Sequence, residues 1–389
     1  MGIDLFPLGS DPTLEALNQQ LVRDNPQTQR VYLGGSAIGK ACWRQLWYDL
    51  RWVQESIHDA ATLARFADGH ASEAIVGARL SAIPGIRLWT EQEDGTQYGF
   101  VDLGGHLRGH LDGVIMGLLQ APKTPHVWEA KAVNERKFKD LEKKKTQFGE
   151  KDALENWDST YFAQAQMYMG QFKYTRHYLT VATPGSRDIT SCRTDFQKNV
   201  YDRLMGKAKR IVFSGTPLDK ISTKSDYYIC KWCDYTDNCH GSKVARVNCR
   251  TCAHVTPTDS GTWRCEFHGK TLTNKEQRAG CSKHLFIPEL VPFGTLTDMD
   301  QDANTITYQT ESGTSFINAE TNDWEKSQFT SKDLQHLDAD LLDGDHDFFS
   351  SMSRFDGASI TSIVKAKEKP MPEVEASFLN PTGGGAAKE

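Results

Sequence analysis

Apolar residues recur along this chain with two periods. In residues 36–52 (SAIGKACWRQLWYDLRW), Ile38, Trp43, Leu46 and Leu50 share one side of a 3.6-residue period behind a capping Ser36, which predicts a helix. Residues 12–24 carry a helical pattern too, and residues 58–82 predict a longer helix whose apolar face is interrupted by Gly69, His70 and Glu73. From Ile86 onward the period shortens to two. Residues 86–92, 98–105, 106–118 and 126–133 predict strands, with Asp94-Gly95 and Gly104-Gly105 as turns. A helix over 158–173, a strand over 174–183 and a helix over 194–214 follow. Helix, meander, helix, strand is an α/β order. Past Pro292 the composition turns to Thr, Asp, Ser and Gly, with a hairpin expected around Ser312-Gly313 and little order expected from 328 onward.

One predicted strand carries charges where its pattern asks for apolar side chains. In HVWEAKAV (126–133), alternation places Glu129 and Lys131 on the face of Val127 and Val133, which is costly unless something compensates. Sixteen residues separate Asp112 from Glu129, and adjacent antiparallel strands would bring the two carboxylates together. Such a pair repels unless a divalent cation lies between, and oxygen donors suit magnesium or manganese. A lysine two residues on would orient the attacking water and stabilise charge on a phosphate.

The 389 residues have room for two domains or for one with appendages. With 38% hydrophobic and 25% charged residues, the composition is that of a globular protein. No apolar run is long enough to span a membrane, and MGIDLFPLGS has no leader-like pattern, so a cytoplasmic location (bacterial, or the cytoplasm of a phage-infected host) is expected. The net charge of -6 is unevenly spread. Residues 331–389 hold six basic and eleven acidic side chains, leaving the first 330 residues near neutral. Residues 131–151 hold eight basic and four acidic side chains, a pattern that by itself describes a solvated helix face. The stretch LDADLLDGDHDFF (337–349) suits either a solubilising tail or a segment that docks a partner or mimics DNA charge.

Nine cysteines without a secretion signal favour metal or cluster ligation over disulfides. Cys249, Cys252, Cys265 and Cys281 form a four-thiol set suited to structural zinc. Cys230, Cys233 and Cys239 form a CxxC-x5-C group, but Cys230, Cys233, Cys249 and Cys252 also have zinc-ribbon spacing, so the partition stays open. His240, His254 and His268 are possible substitute ligands, and Cys192 reads as a buried thiol.

The order Glu73, Asp112, Glu129, Lys131 resembles the PD-(D/E)XK nuclease superfamily, and Gln164 with Tyr168 resembles the QxxxY pattern of its RecB-like and lambda-exonuclease-like branch. That resemblance implies a restriction-endonuclease-like core, a central mixed sheet flanked by helices. It further implies metal-dependent hydrolysis of DNA phosphodiesters, exonucleolytic and suited to phage or bacterial recombination, repair or degradation. Glu73, Asp112, Glu129 and the carbonyl of Ala130 would hold Mg2+ or Mn2+, with His70 an alternative ligand on the first helix, and Lys131 would position water. Gln164 would support the site and Tyr168 would pack behind it or contact DNA. Arg136, Lys137, Lys139, Lys143, Lys144 and Lys145 would follow the phosphate backbone of single-stranded DNA or duplex ends. Cys42 with Cys230, Cys233 and Cys239 resembles the ligand set of iron-staple nucleases such as AddB and the CRISPR-associated exonucleases, implying a 4Fe–4S cluster. The layout expected is a nuclease core over 1–228, a cysteine-rich metal-binding module over 229–290, a small β extension over 291–330 and an acidic, disordered tail over 331–389 that could engage a helicase or recombination partner. A catalytically inactive nuclease fold that binds DNA is the alternative.

Overall fold

The computed structural model describes residues 11–25 and 29–344. The N-terminal part holds α1 (Pro12–Asp24), β1 (Leu33–Gly34), α2 (Trp43–Arg51) and α3 (Ala60–Ser81). Four strands follow: β2 (Arg87–Trp89), β3 (Gly99–Asp102), β4 (Leu107–His110) and β5 (Gly113–Met116). Next come β6 (His126–Ala132), α4 (Glu135–Phe148), α5 (Ala153–Trp157), α6 (Ser159–Phe172), β7 (Arg176–Ala182), β8 (Ile189–Asp195) and α7 (Lys198–Phe213). The central sheet has the order β2-β5-β6-β7-β8, with β6 and β7 parallel and the other neighbours antiparallel. This is a mixed α/β architecture. No helix among the described residues is long and apolar enough to cross a membrane.

Both faces of the sheet are covered. Val76 of α3 packs with Ile115, Trp128, Tyr178 and Ala182 on one face. On the other face Val127, Leu179, Val181 and Cys192 join the main core with Ala165 and Met169 of α6. Residues 162–169 of α6 are buried throughout, as expected of a helix enclosed on all sides. Its start is fixed by Asp158, whose carboxylate accepts from the amides of Thr160 and Tyr161 at 2.9 Å each.

The expected single strand over 106–118 is two. Chain direction changes at Leu111-Asp112, and β4 joins a separate three-stranded sheet of order β1-β4-β3 while β5 stays in the central one.

The cysteine-rich segment contains α8 (Thr236–His240), a sheet of β9 (Val255–Pro257), β10 (Trp263–Cys265) and β11 (Lys270–Leu272), and α9 (Asn274–Ala279). It is fastened to α2 by alternating rings and guanidinium groups: Trp47, Arg51, Trp263, Arg250, Trp52 and Arg278, at successive separations of 5.0, 4.8, 4.6, 3.8 and 4.4 Å. Arg51 and Arg250 are each only 1% exposed. Carbonyl oxygens take their terminal N–H groups, Arg51 donating to Arg250 and Ser214 and Arg250 to Leu50 and Val31, while the Nε of Arg250 donates to the side chain of Gln277. A second seam is backbone against backbone. A Cβ on Gly104 would lie 2.1 Å from the carbonyl oxygen of Asp259, and both Gly104 and Gly261 have positive φ.

A four-stranded sheet, β12 (Thr295–Asp300), β13 (Thr305–Gln309), β14 (Ser315–Ala319) and β15 (Gln328–Thr330), precedes α10 (Ser331–Leu334) and α11 (Ala339–Gly344). The expectation of little order from 328 onward is therefore corrected for 328–344. Phe329, Leu334, Leu337 and Leu342 are buried, and Ser331 donates to the carbonyl of His284 at 2.7 Å. Aspartate-rich composition hid an apolar face. The remainder of the expected tail, 345–389, lies outside the described residues.

Candidate active site

The change of direction at Leu111-Asp112 builds the site. Gly113 pairs with Trp128, so one further step would set Asp112 across from Glu129. Asp112 has left the ladder, and its carboxylate accepts the freed amide of Ala130 at 2.9 Å in place of a backbone carbonyl. Glu129 projects from β6 with Lys131, both toward the α6 side of the sheet. Its Oε1 accepts from the Nε2 of Gln164 at 2.6 Å and from the ammonium of Lys131. Its Oε2 is buried and has no hydrogen-bond partner among the described residues. Glu129 is only 3% exposed.

Burial and the nearby charge of Asp112 push the Glu129 carboxyl up to about 8. Glu73 on α3 is pushed up to about 7, by burial first and by Asp112 second, with Lys131 pulling the other way. Burial alone would lower the Lys131 ammonium, but Glu129 and Asp112 outweigh it and hold that group above the ordinary lysine value. The three acids thus share one region of negative potential that a single ammonium only partly offsets.

Tyr168 forms the back wall. Its ring meets Phe100 edge-on at 5.8 Å. A Cβ on Gly35 would lie 2.9 Å from the Tyr168 ring and one on Gly109 2.8 Å, so two glycines make the space it fills. Gln164 and Tyr168, one helical turn apart, therefore face the same cleft, which has a volume of about 1170 Å³ and is lined also by Glu73, Asp112, Glu129, Ala130, Lys131 and the exposed His70. As the side chains stand, no group of three or more His, Cys, Asp or Glu among the described residues is disposed to hold a metal ion. The donor chemistry nevertheless fits a hard cation: three carboxylates border one cleft, and the buried Oε2 of Glu129 lacks any donor.

The cysteines separate into two cavities, and all nine thiols are free. Cys42, Cys230, Cys233 and Cys239 line one beside Tyr48, Tyr235 and His240. Cys249, Cys252, Cys265 and Cys281 line the other with His254, His268 and His284, and the Sγ of Cys281 is 3.7 Å from the Nε2 of His268. The partition joining Cys230 and Cys233 to Cys249 and Cys252 is therefore not the one the fold brings together, because the two CxxC pairs open into different cavities. Cys192 is buried in β8, as a plain core thiol.

No protein-family model and no curated protein matches this chain. Solved structures do. It is similar to a protein designated SSO0001 (12% identity, TM-score 0.34, covering 58% of this chain and 95% of that one). It is likewise similar to an alkaline exonuclease from Laribacter hongkongensis (14%, 0.33, 50% and 90%) and to a phage-related exonuclease from Haemophilus somnus 129PT (11%, 0.31, 46% and 91%).

The basic run lies on α4, and none of its six candidates borders the cleft. Arg136, Lys139 and Lys143 are exposed. Lys137 is committed elsewhere, bonded to Asp158 at 2.6 Å and lying 4.5 Å from the Tyr161 ring, and Lys145 bonds Glu142 and Thr190. Lys144 lies over Phe148. Within the run, Lys137 is thus held by the start of α6 and Lys145 by Glu142 and β8, while Arg136, Lys139 and Lys143 stay free of such packing. Cations that do line the cleft, Arg30, Arg65 and Arg108, went unnoticed in the sequence. Alternation offered one signal, because Arg108, His110 and Asp112 are spaced two apart.

Proposed function

We propose that this chain is a metal-dependent deoxyribonuclease of PD-(D/E)XK type, acting exonucleolytically on single strands or duplex ends in phage or bacterial recombination, repair or degradation. The observation that carries the proposal is the buried Glu129 carboxylate with one oxygen held by Gln164 and Lys131 and the other without a donor, in a cleft it shares with Glu73 and Asp112. Glu73, Asp112, Glu129 and the Ala130 carbonyl would hold magnesium or manganese, which supplies Lewis-acid polarisation of the phosphate and a more acidic attacking water. Gln164 holds one oxygen of Glu129 and the amide of Ala130 holds Asp112, so both carboxylates are pre-oriented at the cleft. Lys131, held protonated, donates to the water and to the charge that grows on the phosphate oxygens. Tyr168 closes the rear of the cleft.

The two thiol sets are assigned as metal ligands within the same proposal. Cys42, Cys230, Cys233 and Cys239 would carry a 4Fe–4S cluster, and Cys249, Cys252, Cys265 and Cys281 a structural zinc ion. Each set of four surrounds a single cavity in a chain without disulfides, which supports the assignment. A helicase or recombination partner would engage the acidic segment 331–389, of which 345–389 lies outside the described residues.

Cleavage of end-labelled DNA with added magnesium tests the activity. Wild type should degrade the substrate while Asp112→Ala and Lys131→Ala bind it without cutting. DNA binding by a wild-type protein that never cleaves would leave the inactive-binder alternative standing. For the thiol sets, anaerobically purified protein should show a broad band near roughly 400 nm, lost in Cys42→Ala, and elemental analysis should find about one zinc per chain.

A further inference from the structure

A second groove, about 570 Å³, opens from the catalytic cleft and shares Arg30, Tyr32, Gly34 and Phe66 with it. Farther along it is bordered by Lys40, Asp49 and Ser56. At that end the chain is tied to the loop of the first cysteine set: Tyr235 donates to Asp49 at 2.7 Å, Gln54 to the carbonyl of Asp234 at 2.5 Å, and Lys243 to Gln54 at 2.9 Å. The same loop displays its aromatic residues outward. Trp232, between Cys230 and Cys233, is 82% exposed, and Tyr228 is 69% exposed. The ammonium of Lys231 lies 5.6 Å from the Trp232 ring, and the Tyr227 and Tyr228 rings are 4.7 Å apart.

We infer that Trp232 and Tyr228 form a base-stacking platform at the outer end of this groove, so that an unpaired strand runs from the cleft past Tyr32 and Phe66 to the cysteine loop. Three aromatic rings within six residues, with a lysine beside the most exposed, match the sequence-tolerant way in which unpaired bases are held. A protein partner fits less well. Lys224, Asp226, Lys231 and Asp234 punctuate the strip, and the centres of protein interfaces are depleted in charge. Duplex DNA also fits poorly, because its bases are already stacked. With two acids among those four residues the platform adds little net charge, so its share of binding comes from stacking rather than from displaced counterions.

The inference rests on the nuclease proposal for its direction, but its test does not depend on cleavage. The full chain is titrated in a chelating buffer with labelled oligothymidines of about 4 and about 16 nucleotides, lengths that bracket the range seen for single-strand grooves. Trp232→Ala and Tyr228→Ala should each bind the longer strand about tenfold more weakly, leave the shorter strand unaffected, and leave the salt dependence unchanged. Trp232→Phe should retain most of the binding while losing the tryptophan quenching that the long strand causes. Equal losses on both lengths, undiminished binding of the long strand, or self-association of the chain that Trp232→Ala abolishes would each overturn the platform. Magnesium-dependent cleavage assayed separately reports on the active site: a chain that cuts normally yet shows no length-dependent loss loses the platform alone, and one that shows the length dependence but never cuts loses the nuclease proposal alone.

Discussion

Replacing Glu129 by Gln should change how stability depends on pH more than it changes the fold. In the metal-free chain Glu129 holds its proton up to about 8, against an ordinary value of 4.5. Between those values the unfolded chain has released a proton that the folded chain retains, so stability falls as pH rises. The slope is at most about 1.4 kcal/mol per pH unit, for a ceiling of roughly 5 kcal/mol across the window. Relaxation around the charge reduces this to about 2–3 kcal/mol. Below 4.5 both states are protonated and the term vanishes; above about 8 both are ionised and the penalty is complete. Glu73, pushed up to about 7, adds a smaller share of the same sign because it is only partly buried. Glu129→Gln has the shape of the protonated acid and no titration, so most of the slope should disappear. Urea unfolding in a chelating buffer at about pH 5 and about pH 8 measures it. Buried histidines destabilise both chains alike at the lower pH, so the reading is the difference between them: from about pH 5 to about pH 8 wild type should lose stability relative to Glu129→Gln, and added magnesium should stabilise wild type at the higher pH but not the variant. The same pH dependence in wild type and Glu129→Gln would refute the reasoning.

Four further outcomes follow from the geometry. Gln164→Leu removes a hydrogen bond to a buried carboxylate, worth about 1.5–3 kcal/mol, and should lower kcat/KM about tenfold to a hundredfold while leaving DNA affinity nearly unchanged. Gly109→Val should displace the Tyr168 wall and abolish cleavage at a cost of about 1–3 kcal/mol or more in stability, since even a Cβ there would lie 2.5 Å from the Phe100 ring and 2.8 Å from Tyr168; urea unfolding alongside the nuclease assay measures both. Trp263→Ala takes the central ring from between two buried guanidinium groups and should cost about 3–5 kcal/mol in urea unfolding, a loss below about 1 kcal/mol refuting the role given to the stack. His177 is buried and held down to about 3, so between its ordinary value of 6.5 and that value the unfolded chain binds a proton the folded chain refuses. Stability should therefore drop on acidification below about pH 6, and His177→Phe should flatten that limb of the unfolding curve.

Periodicity located the elements that matter most to the site. The helical pattern around Gln164 and Tyr168 and the alternation around Glu129 lie on α6 and β6 within two residues of their expected limits, because both are long and strongly patterned. The turn of the chain at Leu111-Asp112 was missed although Asp112-Gly113 is the same kind of pair that predicts a turn at Asp94-Gly95, because the apolar alternation runs straight through it. The division of eight cysteines into two cavities was equally hidden, because CxxC pairs at ribbon spacing permit either pairing and only the docking of β9–β11 against α2 decides. At the C-terminus Leu337 and Leu342 pack beneath a surface of aspartates, and composition there spoke for the surface alone. For α4 the count of lysines was right, but the side chains that claim Lys137 and Lys145 lie 21 and 45 residues farther along the chain.

The two-residue joint between β4 and β5 gives one acid an independence that the other two lack. Glu73 rides on a helix and Glu129 in the middle of a ladder, so moving either drags a whole element with it. Asp112 stands where one sheet hands the chain to another, so its carboxylate is placed by the corner at Leu111 and by the amide of Ala130 rather than by membership in either ladder. Substitutions confined to that corner would therefore shift one carboxylate of the three while the elements that carry Glu73 and Glu129 stay in place.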